Sequence, residues 1–440
     1  MIIDFTFSGL GPFKDPVTLT FEASKDAHLG DAYVRDIKLA NDKKISLLRL
    51  AMLYGANAAG KSTVLEALSL LDRLVTNPIT DSEKEIDANY FAFDNTVTEQ
   101  SAELSVKFVR AGKVYRYQLR LAKNSILSET LEYQATPPEG TKFVLIYQRC
   151  RGDTPSEFKF TYGPKQKLNS AEQEKLKAEL LPNTTMLSVL NRKMTIQNSM
   201  IQEAYLWFKE QLMGEVTPKT DLTQWVTRKL ADQEISQNRL ILSLNQAGIP
   251  IANLHVLDRQ FSMGEMESLK SLLGVELRNQ VMNSISMQKE VHTVYKIAGN
   301  EYQLKLDSQE SLGTQRYYGL AGMLSALCPE SNDAPSCKIL PIDEIEHSLH
   351  PDLLEHFLVT FLNDSGDSQL IATTHYRELL QNNLLFRDDV IWFVDKDDTS
   401  LSSELYCLYD VKTNAGLRAT SSVYNFYKHG RLGAVPKLKA

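Results

Sequence analysis

Alternating apolar and polar positions dominate the first 165 residues and predict β-strands. Residues 3–7 and 17–21 alternate with period two on either side of a glycine-rich loop. Residues 102–109 and 113–121 alternate across an Ala-Gly pair, which is typical of a β-hairpin. Further strands are predicted at residues 127–133, 144–149, 291–297, 302–306, 390–394 and 404–409.

Two N-terminal segments depart from this alternation, and the pattern then changes along the chain. Residues 48–53 form an apolar run that suits a strand buried on both faces, and residues 63–74 place apolar side chains at helical spacing. From about residue 165 the pattern is mostly helical. Helices are predicted at residues 170–181, 196–212, 222–245 and 263–289, with glycine and proline between them.

These patterns predict an α/β protein in three parts. A strand-rich N-terminal lobe spans residues 1–165, a helical insertion spans residues 166–290, and a C-terminal α/β lobe spans residues 291–440. The insertion holds 14 basic and 14 acidic residues in short, interrupted segments. A long coiled coil is therefore not expected, and a packing or interaction subdomain is the simplest interpretation.

The segment that joins the 48–53 strand to the 63–74 helix has the spacing of a phosphate-binding loop. Its glycines allow backbone N–H groups to wrap the phosphates of a nucleotide, and Lys61 has the length to reach the β- and γ-phosphates. The start of the helix adds partial positive charge. The predicted ATP-binding residues are Gly55, Ala56, Asn57, Ala58, Ala59, Gly60, Lys61, Ser62 and Thr63.

Residues 338–342 form a second short apolar segment, which ends in two carboxylates. Asp343 is predicted to hold Mg²⁺ together with the Ser62 hydroxyl, and Glu344 to polarise the attacking water as a general base. Taken alone, such a pair fits a solvated strand end equally well. Pro341 weakens the strand because it has no N–H to donate to a central ladder.

Three further motifs surround this pair. Ser311-Leu-Gly-Thr-Gln precedes it, Ser348-Leu-His-Pro follows it, and Gln369-Leu-Ile-Ala-Thr-Thr-His375 is predicted as a second short strand ending in Thr-Thr-His. Two of them have a plainer interpretation: a helix-entry turn for the first, and a core or surface histidine for His375. His347 and His350 also have the spacing of a metal site, although a loop beside the nucleotide is favoured.

Along the chain the motifs are the phosphate loop, the Ser311 segment, the Asp343-Glu344 pair, the Ser348 segment and the strand ending at His375. These five motifs, in this order, resemble those of ATP-binding-cassette ATPases of the branch that includes structural-maintenance-of-chromosomes and OLD-type proteins. The resemblance implies an ABC-ATPase head, a mixed sheet with a phosphate-loop core plus an antiparallel β lobe. It also implies that two chains sandwich ATP and Mg²⁺ head to tail, with His375 near the γ-phosphate. The signature residues that would face the phosphate loop of the other chain are Ser311, Gly313, Thr314 and Gln315.

Two departures from the family pattern stand out. The glutamine of the Q-loop has no clear position, since Phe91–Asp94 lies where that loop belongs and Gln100 is only a weak match. The signature also has Leu312 and Thr314 where the transporters have Ser and Gly. The second departure agrees with the soluble branch of the family.

The C-terminal segment narrows the resemblance. Tyr427-Lys-His-Gly-Arg-Leu-Gly-Ala-Val-Pro436 is similar to an ending of small ATPases in bacterial anti-phage and abortive-infection operons, among them the ATPase component of PARIS-type systems. That resemblance implies a homodimer or higher homo-oligomer, an operon-encoded effector such as a toxin or nuclease, and a phage protein as trigger. No nuclease motif follows His375, and residues 395–398 look like a polar hairpin turn.

Charge and composition leave two other hypotheses open. The formal net charge is −7, which argues against a broadly basic DNA-coating surface without excluding a local groove. The alternatives are a DNA-stimulated repair or chromosome-maintenance ATPase, and a scaffold that holds ATP and barely hydrolyses it. The basic tail from residue 418 is either a solvated surface or a contact for nucleic acid or an acidic partner.

The four cysteines are scattered, and the sequence has neither a signal peptide pattern nor a long apolar run. A cytoplasmic protein without a membrane segment is therefore expected. The sequence does not decide whether DNA is a partner.

Overall fold

The computed structural model describes residues 1–40, 42–93, 100–135, 142–154, 157–164, 168–194, 199–258, 289–327, 337–382, 384–415 and 422–435. The chain forms two compact units. The first contains Met1–Pro218, Ser336–Ile345 and Asp367–Ala440, and the second contains Lys219–Pro335 and Glu346–Gly366. The three-part division at residues 165 and 290 stays a prediction, and most of the predicted 263–289 helix lies outside the described residues.

The strands in chain order are β1 Ile2–Ser8, β2 Val17–Thr20, β3 Val34–Lys38, β4 Lys44–Leu48, β5 Leu50–Gly55, β6 Ser101–Arg110, β7 Lys113–Ala122, β8 Ser125–Gln134, β9 Phe143–Arg151, β10 Phe158–Tyr162, β11 Asn253–Asp258, β12 Lys289–Ile297, β13 Asn300–Lys305, β14 Ile339–Ile342, β15 Gln369–Thr373, β16 Ile391–Lys396 and β17 Ser403–Cys407. The predicted strands at 3–7, 17–21 and 102–121 are thereby confirmed.

The α-helices in chain order are α1 Gly30–Tyr33, α2 Lys61–Thr76, α3 Ser170–Glu179, α4 Met186–Arg192, α5 Ser199–Leu206, α6 Leu222–Ala231, α7 Gln237–Gln246, α8 Leu306–Gln309, α9 Leu312–Leu327, α10 Pro351–Asp364, α11 Leu408–Ala415 and α12 Val423–Lys428. A π-helical turn spans Trp207–Gln211, and 3₁₀ turns span Arg377–Gln381 and Asp388–Val390. Among the described residues, no helix combines the length and the apolarity needed to cross a membrane.

A seven-stranded antiparallel sheet forms one layer of the first unit. Its strand order is β10-β9-β8-β7-β6-β1-β2. The predicted hairpin is present, with Phe108 directly opposite Tyr115. Trp207 stacks on Phe108 with 4.2 Å between ring centroids, so the segment that follows α5 covers this face of the sheet with aromatic side chains.

A five-stranded mixed sheet, in the order β14-β15-β5-β16-β17, forms the second layer of this unit. The first four strands are parallel and β17 is antiparallel to β16. Every residue of β5 is buried, as its unbroken apolar run predicts. The carboxyl ends of β5, β14 and β15 meet at one edge of the sheet, where ligands bind in folds of this kind. The predicted α/β class with a mixed sheet and an antiparallel lobe is confirmed.

Pro341 fits the sheet because β14 is its outer strand. The N–H of Met213 donates to the Ile339 carbonyl at 2.9 Å, and the N–H of Val216 donates to the Pro341 carbonyl at 2.9 Å. The backbone of Pro341 therefore faces this outer segment rather than β15. Its missing N–H costs no bond within the parallel ladder.

The second unit contains the sheet β11-β12-β13 and helices α6, α7, α9 and α10. A Cβ added at Gly322 of α9 would lie 2.4 Å from the Val226 side chain, so glycine permits close packing of α9 on α6. The prediction of a mostly helical insertion is only partly correct, because residues 253–258 form a strand that pairs with β12.

Two predicted helices are interrupted. The 222–245 helix is divided in two, because Gln233 has a φ of 57° and the Ser236 side chain caps the second helix by accepting from the Arg239 N–H. The 196–212 helix runs as α5 and then widens into the π-helical turn.

Candidate nucleotide-binding site

The phosphate-binding loop runs from the end of β5 to the start of α2, in the setting that the sequence predicts. Gly60 has a φ of 111°, and a Cβ there would lie 2.6 Å from Pro12 and 2.8 Å from Phe13. A Cβ at Gly55 would lie 2.5 Å from the Val394 carbonyl oxygen. Both glycines are therefore required by the loop conformation and by neighbouring chain segments.

Lys61 lies inside this loop at the first turn of α2. Its side chain is largely buried, with 6% exposure, and its Nζ donates to the carbonyl oxygens of Gly55 at 2.9 Å and Ala56 at 3.1 Å. The positive end of the 16-residue helix adds to the charge of this amine. The arrangement favours an anion in the loop.

Ser62 and Asp343 bring the two halves of the predicted site together. The Ser62 hydroxyl lies 2.9 Å from Oδ1 and 3.0 Å from Oδ2 of Asp343. Hydroxyl and carboxylate oxygens are the ligands that Mg²⁺ takes in proteins, usually with only one or two protein carboxylates. This donor set therefore fits Mg²⁺.

Two further carboxyl groups lie in the electrostatic environment of Asp343. Burial raises the pKa of Glu66, and the negative charge of Asp343 raises it further. Burial also raises the pKa of Glu215, with added repulsion from Glu66 and Asp343, while a hydrogen bond from Ser69 at 3.0 Å opposes the shift. A cation beside Asp343 would relieve this repulsion.

Glu344 adopts a backbone conformation that is unusual for glutamate. Its φ is 44°, and its N–H donates to the Thr373 hydroxyl oxygen at 2.8 Å. The same hydroxyl donates to Oδ1 of Asp343 at 2.6 Å. Left-handed backbone of this kind is concentrated at functional sites, where surrounding contacts maintain it.

His375 follows β15 and lies at the same cleft. A cavity of about 910 Å³ is lined by the predicted residues Lys61, Ser62, Asp343, Glu344 and His375. Most of the predicted phosphate loop, both predicted carboxylates of the Walker B motif at residues 343–344, and His375 therefore face one open space.

The cleft is also lined by residues to which no sequence motif gives a role. These are Gly11, Pro12, Asn89, Tyr90, Ala92, Phe93, Thr373 and Lys396. The sequence pattern predicts residues 9–13 only as a glycine-rich loop between two strands, although the glycines are a signal of close backbone approach. Phe93 is 58% exposed, and the Lys396 Nζ lies 6.0 Å from its ring centroid. The two residues are far apart in the sequence, so no local motif predicts this contact.

The predicted signature segment lies in the second unit, where α9 begins. The Ser311 hydroxyl accepts from the Thr314 N–H at 3.1 Å, and the Gln315 side chain donates to the Glu310 carbonyl at 3.0 Å. A Cβ at Gly313 would lie 3.0 Å from the Ser348 carbonyl. The structure thus brings the signature together with the Ser348 loop within one unit.

His347 and His350 lie in the Ser348 loop, and the second of them has a structural role. His350 caps α10 by accepting from the Asp352 N–H at 3.3 Å. Over the described part of the chain, no group of three or more His, Cys, Asp or Glu side chains is arranged to hold a metal. Gln100 donates to the Phe91 carbonyl at 3.3 Å, and residues 94–99 lie outside the described residues.

The C-terminal motif lines a space next to the phosphate loop, together with Gly55 and His375. The Tyr427 ring packs edge-on against Tyr54 of β5 at 5.9 Å, and the Tyr427 hydroxyl donates to the Ala434 carbonyl at 3.1 Å. The Tyr406 hydroxyl donates to the Leu432 carbonyl. These contacts attach the 427–434 turn to the mixed sheet.

A phosphate loop, an adjoining hydroxyl–carboxylate pair and a second carboxylate at parallel strand ends define a nucleotide-binding ATPase domain. The family described as "AAA domain, putative AbiEii toxin, Type IV TA system" matches residues 50–197 and 221–380. The chain belongs to this family of AAA ATPases. A search of curated proteins found no match.

Solved structures similar to this chain include heads of SMC proteins. The SMC head domain from Thermotoga maritima is 12% identical with a TM-score of 0.38, covering 92% of this chain and 98% of that one. An Smc head domain with an extended coiled coil, bound to the C-terminal domain of ScpA and derived from Pyrococcus furiosus, is 11% identical with a TM-score of 0.41, covering 94% and 98%.

Proposed function

We propose that this protein is a Mg²⁺-dependent ATPase whose chains pair head to tail when ATP is bound. The observation that carries the proposal is the contact between Ser62 of the phosphate loop and Asp343 at the end of β14. It joins two motifs that are 281 residues apart in the sequence. Neighbouring Lys61 and Glu344 complete a set suited to phosphoryl transfer to water.

Each side chain of the cleft has a defined chemical task in this proposal. Lys61 and the loop N–H groups hold the phosphates, and Glu344 takes the proton of the attacking water. His375 contacts the γ-phosphate or that water. Ser62 and Asp343 would hold Mg²⁺, which would supply positive charge against the phosphates.

The signature segment of a second chain is proposed to close the site. Ser311 and Leu312 are solvent-exposed in the single chain, and Leu312 is 68% exposed although it is apolar. An exposed leucine beside hydroxyl donors at a helix start suits a surface that becomes covered next to an anion. Ser311, Gly313, Thr314 and Gln315 would then face the γ-phosphate.

We further propose that ATP-linked pairing controls a separate effector in anti-phage defence. The description of the matched family includes a toxin–antitoxin system, and the 427–436 segment resembles the ATPase component of PARIS-type systems. The partner would be an operon-encoded toxin or nuclease, released when a phage protein is sensed. Co-purification with the product of the neighbouring gene tests this step, and protection by the chain alone contradicts it.

The ATPase proposal is tested by steady-state turnover with Mg²⁺. Lys61→Ala is expected to abolish nucleotide binding and turnover together. Glu344→Gln is expected to keep ATP binding, lose turnover and accumulate ATP-bound pairs on a sizing column. Unchanged turnover in Glu344→Gln would remove the base assignment, and unchanged ATP binding in Lys61→Ala would remove the site itself.

A further inference from the structure

We infer that Thr373 is a positioning residue that holds both Walker B carboxylate residues in their working arrangement. The inference rests on the proposed ATPase function and extends it to a residue to which the five motifs give no role of its own. Thr373 is fully buried at the end of β15, the strand between the one that leads to Asp343 and the one that leads to the phosphate loop.

The hydroxyl of Thr373 has both kinds of hydrogen bond satisfied by the site. Its single proton is donated to Oδ1 of Asp343 at 2.6 Å, and its oxygen accepts the N–H of Glu344 at 2.8 Å. A hydroxyl has one donor and two acceptor positions, so donating to Asp343 leaves its lone pairs available for Glu344. One side chain therefore fixes two consecutive residues.

The backbone of Thr373 fixes a third consecutive residue. The N–H of Ile345 donates to the Thr373 carbonyl at 3.1 Å, which places residues 343–345 against the end of β15. Glu344 lies between these attachments with its φ of 44°. Such a conformation is costly for a residue with a side chain, and it persists when its surroundings determine it.

The consequence concerns the direction of two carboxylates. Oδ1 of Asp343 accepts from Thr373 and also lies 2.9 Å from the Ser62 hydroxyl, so Thr373 helps to aim this carboxylate at the proposed Mg²⁺ position. The hydrogen bond to the Glu344 N–H sets where the Glu344 side chain leaves the backbone. Loss of the hydroxyl should weaken both Mg²⁺ use and water activation without removing a phosphate contact.

The neighbouring Thr374 supplies a matched control. It is equally buried, but its hydroxyl accepts from the Tyr376 N–H at 3.0 Å, within the turn that follows the strand. Thr373→Val and Thr374→Val make the same change of atoms one residue apart. Thr373→Ser keeps the hydroxyl, and Thr373→Ala removes it with a smaller side chain if the valine variant does not fold.

The experiment measures kcat, the Mg²⁺ concentration that gives half-maximal ATP binding, and Mg²⁺-free ATP binding in the full chain. For Thr373→Val we expect kcat to fall about 10- to 100-fold, the scale of a lost hydrogen bond to a charged group. The half-maximal Mg²⁺ concentration should rise about tenfold, with Mg²⁺-free ATP binding within about twofold of the parent. Thr373→Ser and Thr374→Val should stay close to the parent.

Three outcomes would overturn the inference: parental values in Thr373→Val, equal losses in Thr373→Ser, or equal losses in Thr374→Val. The Mg²⁺ measurement uses binding, so it decides the role of Thr373 even if the parent shows no turnover. Absent turnover in the parent would contradict the proposed function and leave the Mg²⁺ comparison valid.

Discussion

The nucleotide cleft of the first unit and the signature segment of the second differ in how their polar groups are used. In the cleft, hydroxyls from Ser62 and Thr373 both meet the Asp343 carboxylate, across long separations in the chain. In the signature, the Ser311 hydroxyl bonds only three residues away, at the start of its own helix. The cleft is held by contacts between distant parts of the chain, whereas the signature is a local turn displayed to solvent.

This difference suggests a division of labour. A preorganised cleft suits binding and hydrolysis, because its donors and carboxylates are fixed in place. An exposed helix start is suited to a contact that forms and breaks, since little structure has to be undone. Changes in the first region should therefore affect ATP itself, and changes in the second should affect pairing.

The largest expected effect is on the cleft side and comes from Glu344→Gln. Removing the proposed base while keeping the shape of its side chain should lower kcat by about 10² to 10⁴-fold, with ATP affinity retained. Single-turnover and binding assays separate the two quantities. An equal loss of ATP affinity would mean that Glu344 holds the nucleotide rather than activating water.

The next effect tests the preorganisation of the loop through Gly60→Ala. Its φ of 111° and the 2.6 Å distance from a new Cβ to Pro12 predict a loss of ATP affinity of about tenfold or more, since each 1.4 kcal/mol is a factor of ten. Isothermal titration measures it. Gly214→Ala is the matched control, because a Cβ there meets nothing within 4 Å. Equal behaviour of the two variants would contradict the strained-loop account.

A smaller effect is expected on the signature side from Leu312→Lys. The residue is 68% exposed, so folding should be unchanged, while ATP-dependent pairing should weaken about tenfold through loss of buried apolar surface. Leu242→Lys, at 57% exposure on another helix of the same unit, is the control. Analytical ultracentrifugation with ATP distinguishes them, and identical pairing would place the interface elsewhere.

The smallest effect concerns Asp72, which is half-buried on α2 of the first unit. Burial raises its pKa to about 7, so the folded state holds the proton more tightly than the unfolded state. Stability should therefore fall as pH rises from about 4 to about 7 and stay lower above that range.

Asp72→Asn removes this charge and should stabilise the protein at pH 8 by about 1 kcal/mol or more, with little change at pH 4.5. Thermal unfolding at both pH values measures it. Asp352→Asn, a highly exposed residue of the second unit, should change little at either pH. A stabilisation of equal size at pH 4.5 and pH 8 would rule out titration of Asp72 as its cause.

Site residues that form a local motif can be predicted from the sequence, whereas residues that meet only across the fold cannot. Gly55–Thr63 and Asp343-Glu344 are short motifs whose chemistry is contained in neighbouring residues, so spacing alone identifies them. Thr373 acquires its contacts only when β15 lies between two other strands, and no local pattern encodes that position. Lys396 and Phe93 meet across the fold for the same reason.

Local structure shows the same limit at two other places. The break after α6 depends on Gln233 adopting positive φ, which glutamine rarely does, so helical periodicity predicts one continuous helix. Pro341 argues against a central strand, and that argument loses its force once β14 lies at the sheet edge. Both outcomes are set by tertiary neighbours rather than by intrinsic preference.

The most direct test of the account is subunit mixing between Lys61→Ala and Ser311→Arg chains. Each variant alone should hydrolyse no ATP, because every paired site would lack either the phosphate-loop lysine or the signature serine. Random mixing should restore about one quarter of parental turnover, since half of the pairs would contain one intact composite site. A mixture as inactive as its components, or full activity of Ser311→Arg alone, would contradict a site completed by a second chain.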